Sequence, residues 1–205
     1  DFAGASALAD ALVAGLGPVP EPMAWLQAHW ARANLLFHTG QVPQALALAD
    51  HCLAHWGSTA AVSASAASGG GLLQHPAVSC HSYAAWALWA LGQTDAALAR
   101  ARQAVALAEQ LNHPFSLGQA LGFLAVAHHF RDETEAGLQA AGRAITVCEA
   151  GGFVVWLAHA RMLRGRLLAS QGDVHQGLQQ LTQGMAEWRA TGAVVSLPFY
   201  QGLQA

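Results

Sequence analysis

Eleven histidines and three cysteines stand among 205 residues, and six of them crowd one stretch: His51, Cys52, His55, His75, Cys80 and His81. Histidines four apart share a helix face, and a thiolate or imidazole from nearby could complete a zinc tetrahedron. No C-x-x-C or paired H-x-x-x-H completes the set, and Cys52 falls on a small-residue packing position. The expectation is helix-surface histidines beside a buried thiol, with no metal. His128 and His129 raise a second possibility, an acid–base pair. No nucleophile or carboxylate can be placed beside them, although Asp132 is one helical turn away, so a surface or core-capping role is expected. Gly69-Gly70-Gly71 suggests an anion-cradling loop but has no preceding strand and no nearby cation, so it reads as flexible linker. No phosphate-loop motif occurs, and a chain without lysine cannot supply its ammonium. H-E-x-x-H and G-x-S-x-G are also missing. No catalytic residue and no cofactor are assigned, and the chain is not read as an enzyme.

Composition narrows the setting. The chain is 54% hydrophobic and only 10% charged, with a formal net charge of −3. That balance opposes disorder. All nine basic residues are arginine and none form a run, which argues against a nucleic-acid surface. Three widely spaced cysteines do not make a disulfide framework and fit buried thiols in a reducing cytoplasm. No signal peptide is visible at Asp1. The stretch from His51 to Thr94 has no formal charge, yet its longest wholly apolar run, Ala84 to Leu91, falls short of the about 20 residues a spanning helix needs. No membrane span is expected.

A repeat must position whatever function exists. Ala45-Leu46, Ala97-Leu98, Gly137-Leu138 and Gly177-Leu178 align without internal gaps, the last three spaced by 40 residues and the first by 52. The longer step is one period plus an insertion. A small residue recurs seven positions later (Cys52, Ala104, Ala144, Gly184) and twelve positions earlier (Ala33, Ala85, Ala125, Gly165). Five positions before each first small residue lies Gly40, Gly92, Asp132 or Gly172, where a turn belongs. Small residues on facing helices let their backbones approach, and the runs carry helical periodicity, as in Leu98, Ala101, Val105 and Ala108. Thr94-Asp95 and Gly172-Asp173 look like helix starts. The spacing predicts helix pairs over 22–38 with 42–56, 76–91 with 95–111, 115–130 with 134–150, and 154–170 with 174–190. Phe2 to Gly15 reads as a second helix, with Ala7-Leu8, Ala11 and Ala14 in register, and 196–205 as a first helix. Residues 57–75 are expected to form an inserted irregular loop. The whole of 1–205 then reads as one repeat array, all-α, cut from a longer chain.

The small-residue pattern with glycine at the hairpin turn resembles the tetratricopeptide repeat, though the period exceeds that family's usual length of about 34 residues. Four strings narrow the resemblance: Cys80 to Leu88, His113 to Leu117, His128 to Arg131, and Arg164 to Ala169 followed by Gln171-Gly172. Together they are similar to the C-terminal repeat region of bacterial signalling proteins that join a STAND-type ATPase to an adenylate or guanylate cyclase or regulator. The resemblance implies an α-solenoid with a right-handed superhelix, whose first helices line a concave face. By register that face takes Trp30, Asn34 and Phe37, then Ser82, Trp86 and Trp89, then Gln119 and His129, then His159, Met162 and Arg166. Aromatic groups beside a fork-shaped guanidinium suit a peptide or a small polar ligand. The same tryptophans would equally serve to pack adjacent hairpins. The function implied is a non-catalytic interaction or sensing scaffold. Its partner would be a protein or peptide, another domain of its own chain, or a small-molecule effector. A structural or oligomerisation spacer, or a free-standing adaptor, is the alternative, and an enzyme using the histidine-rich groove is disfavoured.

Overall fold

The computed structural model describes residues 2–18, 20–59, 73–193 and 197–202. Among these, every regular element is an α-helix: α1 (Phe2–Ala14), α2 (Pro22–His38), α3 (Val42–Thr59), α4 (Pro76–Ala90), α5 (Thr94–Gln110), α6 (Pro114–His129), α7 (Thr134–Gly151), α8 (Val154–Ser170), α9 (Val174–Ala190) and α10 (Leu197–Gly202). None of the described helices is long and apolar enough to cross a membrane. The chain divides into two compact units, Asp1–Leu111 and Asn112–Ala205.

Local chemistry explains where the helices start and stop. Pro22 occupies the first turn of α2, where its missing N–H costs nothing, and the Glu21 carboxylate accepts from Met23 N at 3.0 Å and Ala24 N at 2.8 Å. Asp173 caps α9 through Gln176 N at 3.3 Å. Thr94 opens α5 as expected, and Gln93 precedes it without a side-chain bond. The four turn positions all have left-handed backbones, with φ of 81° at Gly40, 79° at Gly92, 56° at Asp132 and 98° at Gly172. At Asp132 no glycine relieves the strain. There the following residue closes the turn, because the Glu133 carboxylate accepts from His128 Nδ1 at 2.6 Å and from Arg131 Nε at 2.8 Å.

Within unit 1, α2 pairs with α3 and α4 with α5, while α3 also packs on α4. Leu26, Ala49, Cys52, Ala77, Cys80 and Ala84 form a core cluster, with Trp25, Trp30 and Trp56 packed against it. Within unit 2, α6 pairs with α7 and α8 with α9, and α7 packs on α8. Its centre holds Leu121, Phe123, Met162, Leu163, Leu167, Leu181 and Met185, all fully buried. The repeated small positions lie at these contacts. Ala33, Ala45, Cys52, Ala85, Ala97, Ala104, Ala125 and Ala144 are 5% exposed or less. Gly137, Gly165, Gly177 and Gly184 are buried too.

One expectation needs correction. Gly57–Thr59 continue α3 rather than opening the inserted loop, and His75 is the N-cap of α4. The rest of that insertion, 60–72, including the Gly69 to Gly71 run, lies outside the described residues. In α1 the structure buries Ala9, while Ala7, Leu8, Ala11 and Ala14 are exposed. The register positions of α1 therefore lie on its exposed side.

Arg161 of α8 ties three helices, bonding Glu187 of α9 at 2.5 Å and Glu149 of α7 at 2.9 Å. Glu149 is half in solvent, so Arg161→Ala should cost only about 1 kcal/mol, measured as a small loss of thermal midpoint that shrinks further in high salt.

Candidate functional site

In unit 1 the first-helix residues fall into two matched rows. Trp30, Asn34 and Phe37 follow an i, i+4, i+7 spacing on α2, and Ser82, Trp86 and Trp89 follow the same spacing on α4. The rows meet through aromatic rings. Phe37 stacks on Trp86 with centroids 5.8 Å apart and planes at 28°. Tyr83 joins them edge-on, 5.6 Å from Phe37, 5.7 Å from His38 and 6.1 Å from Trp86. Asn34 hydrogen-bonds the Tyr83 side chain, but burial still raises that phenol above its ordinary pKa. Burial lowers the pKa of His38. Sequence reasoning passed over Tyr83 and His38. The available signal was their position, adjacent to Ser82 and Phe37, on the flank that faces the neighbouring first helix. Trp89 is 39% exposed and offers its ring to solvent. Ser82 is fully buried and gives its hydroxyl to the Val78 carbonyl at 3.0 Å. Trp30 is partly buried and packs against the core cluster of this unit.

In unit 2 the first-helix residues separate into buried and accessible groups. Gln119, His159 and Met162 are 1% exposed or less, so they pack inside the helix stack rather than line an open face. His159 is held by Phe123, Trp156 and Trp188, with ring centroids at 6.0, 5.7 and 6.4 Å. It fits because Gly122 lacks a side chain: a Cβ there would lie 2.5 Å from the imidazole Cδ2. Burial drives the His159 pKa down to about 4, partly opposed by a hydrogen bond with the Gly122 backbone. His129 and Arg166 are half-buried neighbours. Burial lowers the His129 pKa, the Arg166 charge lowers it further, and Asp132 opposes both. The Arg166 Nε is buried without a hydrogen-bond partner among the described residues. Phe130, tilted against His129 with centroids 5.5 Å apart, also meets Phe199 of α10 at 6.0 Å.

The histidines and cysteines singled out in the sequence each sit in their own surroundings. His128 has a carboxylate partner that the sequence did not reveal: Glu133, within the turn, rather than Asp132. Its neighbour His129 serves a different environment, so the two histidines do not act as a pair. Cys80 shares a hydrogen bond with Cys52, and this bond together with burial raises its pKa well above the ordinary thiol value. His29 and His55 flank the Trp25 ring at 3.9 and 4.0 Å, and His75 meets Trp56 at 4.9 Å. Among the described residues no three His, Cys, Asp or Glu side chains converge as a metal site. Clefts also occur away from the first-helix rows, one of about 460 Å³ lying at the start of α7 beside Glu133, Thr134, Glu135, Ala136 and Gln139. Another, of about 410 Å³, is lined by Val154, Leu157, Arg161, Glu187, Ala190 and Thr191. A further one, of about 590 Å³, runs along α7 from Leu138 to Val147.

No protein-family model matches the sequence, and no curated protein matches it either. Solved structures do match. Aspartyl phosphate phosphatase F from Bacillus subtilis superposes with a TM-score of 0.69 at 18% identity, covering 91% of this chain and 46% of its own. A Rap protein complexed with competence and sporulation factor gives 0.69 at 16% identity, covering 83% and 45%. A putative kinesin light chain from Podosopora anserina, with nearly identical TPR-like repeats, gives 0.57 at 17% identity, covering 93% and 86%. The chain thus spans about half the length of the first two. At these identities the likeness shows the fold: an all-α helical-repeat solenoid of the tetratricopeptide kind.

Proposed function

We propose that this chain is a non-catalytic interaction segment whose first-helix faces hold a protein or peptide partner. The observation that carries the reading is Arg166, a half-buried guanidinium beside His129 whose Nε has no hydrogen-bond partner among the described residues. A buried guanidinium N–H without an acceptor is costly, and an incoming carboxylate would satisfy it. Trp89, exposed beside the Phe37–Trp86 stack, supplies an apolar anchor in unit 1. The Rap neighbour complexed with competence and sporulation factor supports a partner-binding use of this fold. The finer setting we propose is a cytoplasmic bacterial signalling protein in which an ATPase or cyclase lies elsewhere in the chain. The partner would then bias one arrangement of the repeats over another.

An array of short unstructured peptides, acidic and neutral, tests this with the protein as probe. Captured peptides should be mainly acidic, and Arg166→Ala or Trp89→Ala should weaken their binding by about 1–2 kcal/mol with the thermal midpoint held. Unchanged affinity with a lowered midpoint would make these residues packing groups and end the reading. Capture of nothing would favour a structural spacer instead.

A further inference from the structure

Glu187 of α9 has one satisfied carboxylate oxygen and one unsatisfied. Its Oε1 accepts from Arg161 and, at 2.9 Å, from Gln183 Nε2. Its Oε2 is buried with no hydrogen-bond partner among the described residues. Burial pushes the carboxyl pKa up, but the bonds from Arg161 and Gln183 outweigh it and hold the group below its ordinary value. It is therefore ionised at neutral pH. Arg161 does not cancel that charge, because the same guanidinium also bonds Glu149 at 2.9 Å. Two carboxylates on one guanidinium leave a net negative charge. A buried carboxylate oxygen without a donor is costly, and a charged donor satisfies it best.

Glu187 and Arg161 line the cleft of about 410 Å³ between α8 and α9. That volume lies within the about 300–1,000 Å³ of small-molecule sites. Val154, Leu157 and Arg161 share one face of α8 at i, i+3 and i+7, opposite Glu187, Ala190 and Thr191 of α9. Because a hairpin's helices run antiparallel, the charged pair lies toward its middle and Val154 and Thr191 lie at its open end. The two ends of the cleft are roughly 10 Å apart along the helix axis. The Thr191 hydroxyl is already given to the Trp188 carbonyl at 2.7 Å. Val154 is 62% exposed and Ala190 is exposed too, so the apolar walls are uncovered.

We propose that this cleft binds a small primary amine, with its ammonium on Glu187 Oε2 and its short apolar body along Val154, Leu157 and Ala190. The net negative charge disfavours anions, and the apolar walls favour a carbon body over a bare inorganic cation. The proposal does not depend on the partner-binding reading above.

The test titrates the protein with phenethylamine, followed by saturation-transfer NMR, with phenethyl alcohol as the uncharged counterpart. The amine should bind with about millimolar affinity or tighter, and the alcohol should bind weaker by about tenfold or more. Glu187→Gln should lose about tenfold or more of the amine affinity. That substitution also weakens the pair with Arg161. Ala190→Leu therefore accompanies it: it fills the cleft from an exposed position and should abolish binding with the thermal midpoint held. Failure of the amine to bind, an alcohol that binds as well, or amine binding that survives both substitutions overturns the proposal. Tighter binding of Nα-acetyl-lysine amide than of phenethylamine would also overturn it, and would assign the cleft to a lysine side chain of a protein partner.

Discussion

Gly165→Ala should destabilise the protein by about 2–3 kcal/mol and lower its thermal midpoint by about 10 °C, against the helix propensity of both residues. Alanine inside a helix is ordinarily better than glycine by about 1 kcal/mol. Here a Cβ would sit 2.6 Å from the Gly177 carbonyl oxygen and 2.6 Å from the Leu181 amide nitrogen. Both are backbone atoms of α9, so no side chain can swing away and the two helices must separate. Separation would loosen Met162, Leu181 and Met185, which are fully buried at that contact. Gly142→Ala is the matched control. It lies inside α7, and a Cβ there meets nothing within 4 Å. That variant should gain about 0.5–1 kcal/mol. Denaturant unfolding of both variants decides it: if Gly165→Ala is neutral, α8 and α9 are not in backbone contact.

Stability should fall as the solution is acidified from about pH 6.5 to about pH 4, and His159 should be a main cause. Its folded pKa of about 4 lies below the ordinary 6.5 because burial disfavours the imidazolium. Between those values the unfolded chain takes up a proton that the folded chain refuses, so stability is fully present above pH 6.5 and is lost on the way down to about pH 4. The gap corresponds to about 3 kcal/mol for His159 alone. His81, also lowered to about 4 by burial and by Arg100, adds a loss of the same sign. His159→Gln keeps a donor near the Gly122 carbonyl and cannot titrate in this range. Its unfolding free energy should vary with pH markedly less than that of the parent. An unchanged pH dependence would place the acid sensitivity in other groups.

The 40-residue register located the helices because its signals are local. A glycine or aspartate at a left-handed turn position, a proline in a first turn and apolar residues at helical spacing each act through neighbours a few positions away. Repetition then makes weak local signals mutually supporting, so the small-residue contacts at Ala85, Ala97, Ala104, Ala125, Ala144 and Gly165 were legible without coordinates. The site residues were only half legible. Register correctly assigned Trp89 and Arg166 to first helices, but the same register assigned Gln119, His159 and Met162, which the fold buries.

Exposure of a first-helix side chain depends on how close the helices of the adjacent hairpins come, and that distance is set by residues about 40 positions away. Gly122 admits the His159 ring, and Glu133 captures His128 at a turn where glycine is missing. Tyr83 bridges Phe37 and Trp86 because α2 and α4 happen to approach there. In α1 the repeat pattern survives in the residues while the burial does not. Residue types alone therefore determined the helices, their turns and their small-residue contacts. Only tertiary packing decided which side chains meet solvent, because burial is a property of the neighbours a residue acquires and not of the residue itself.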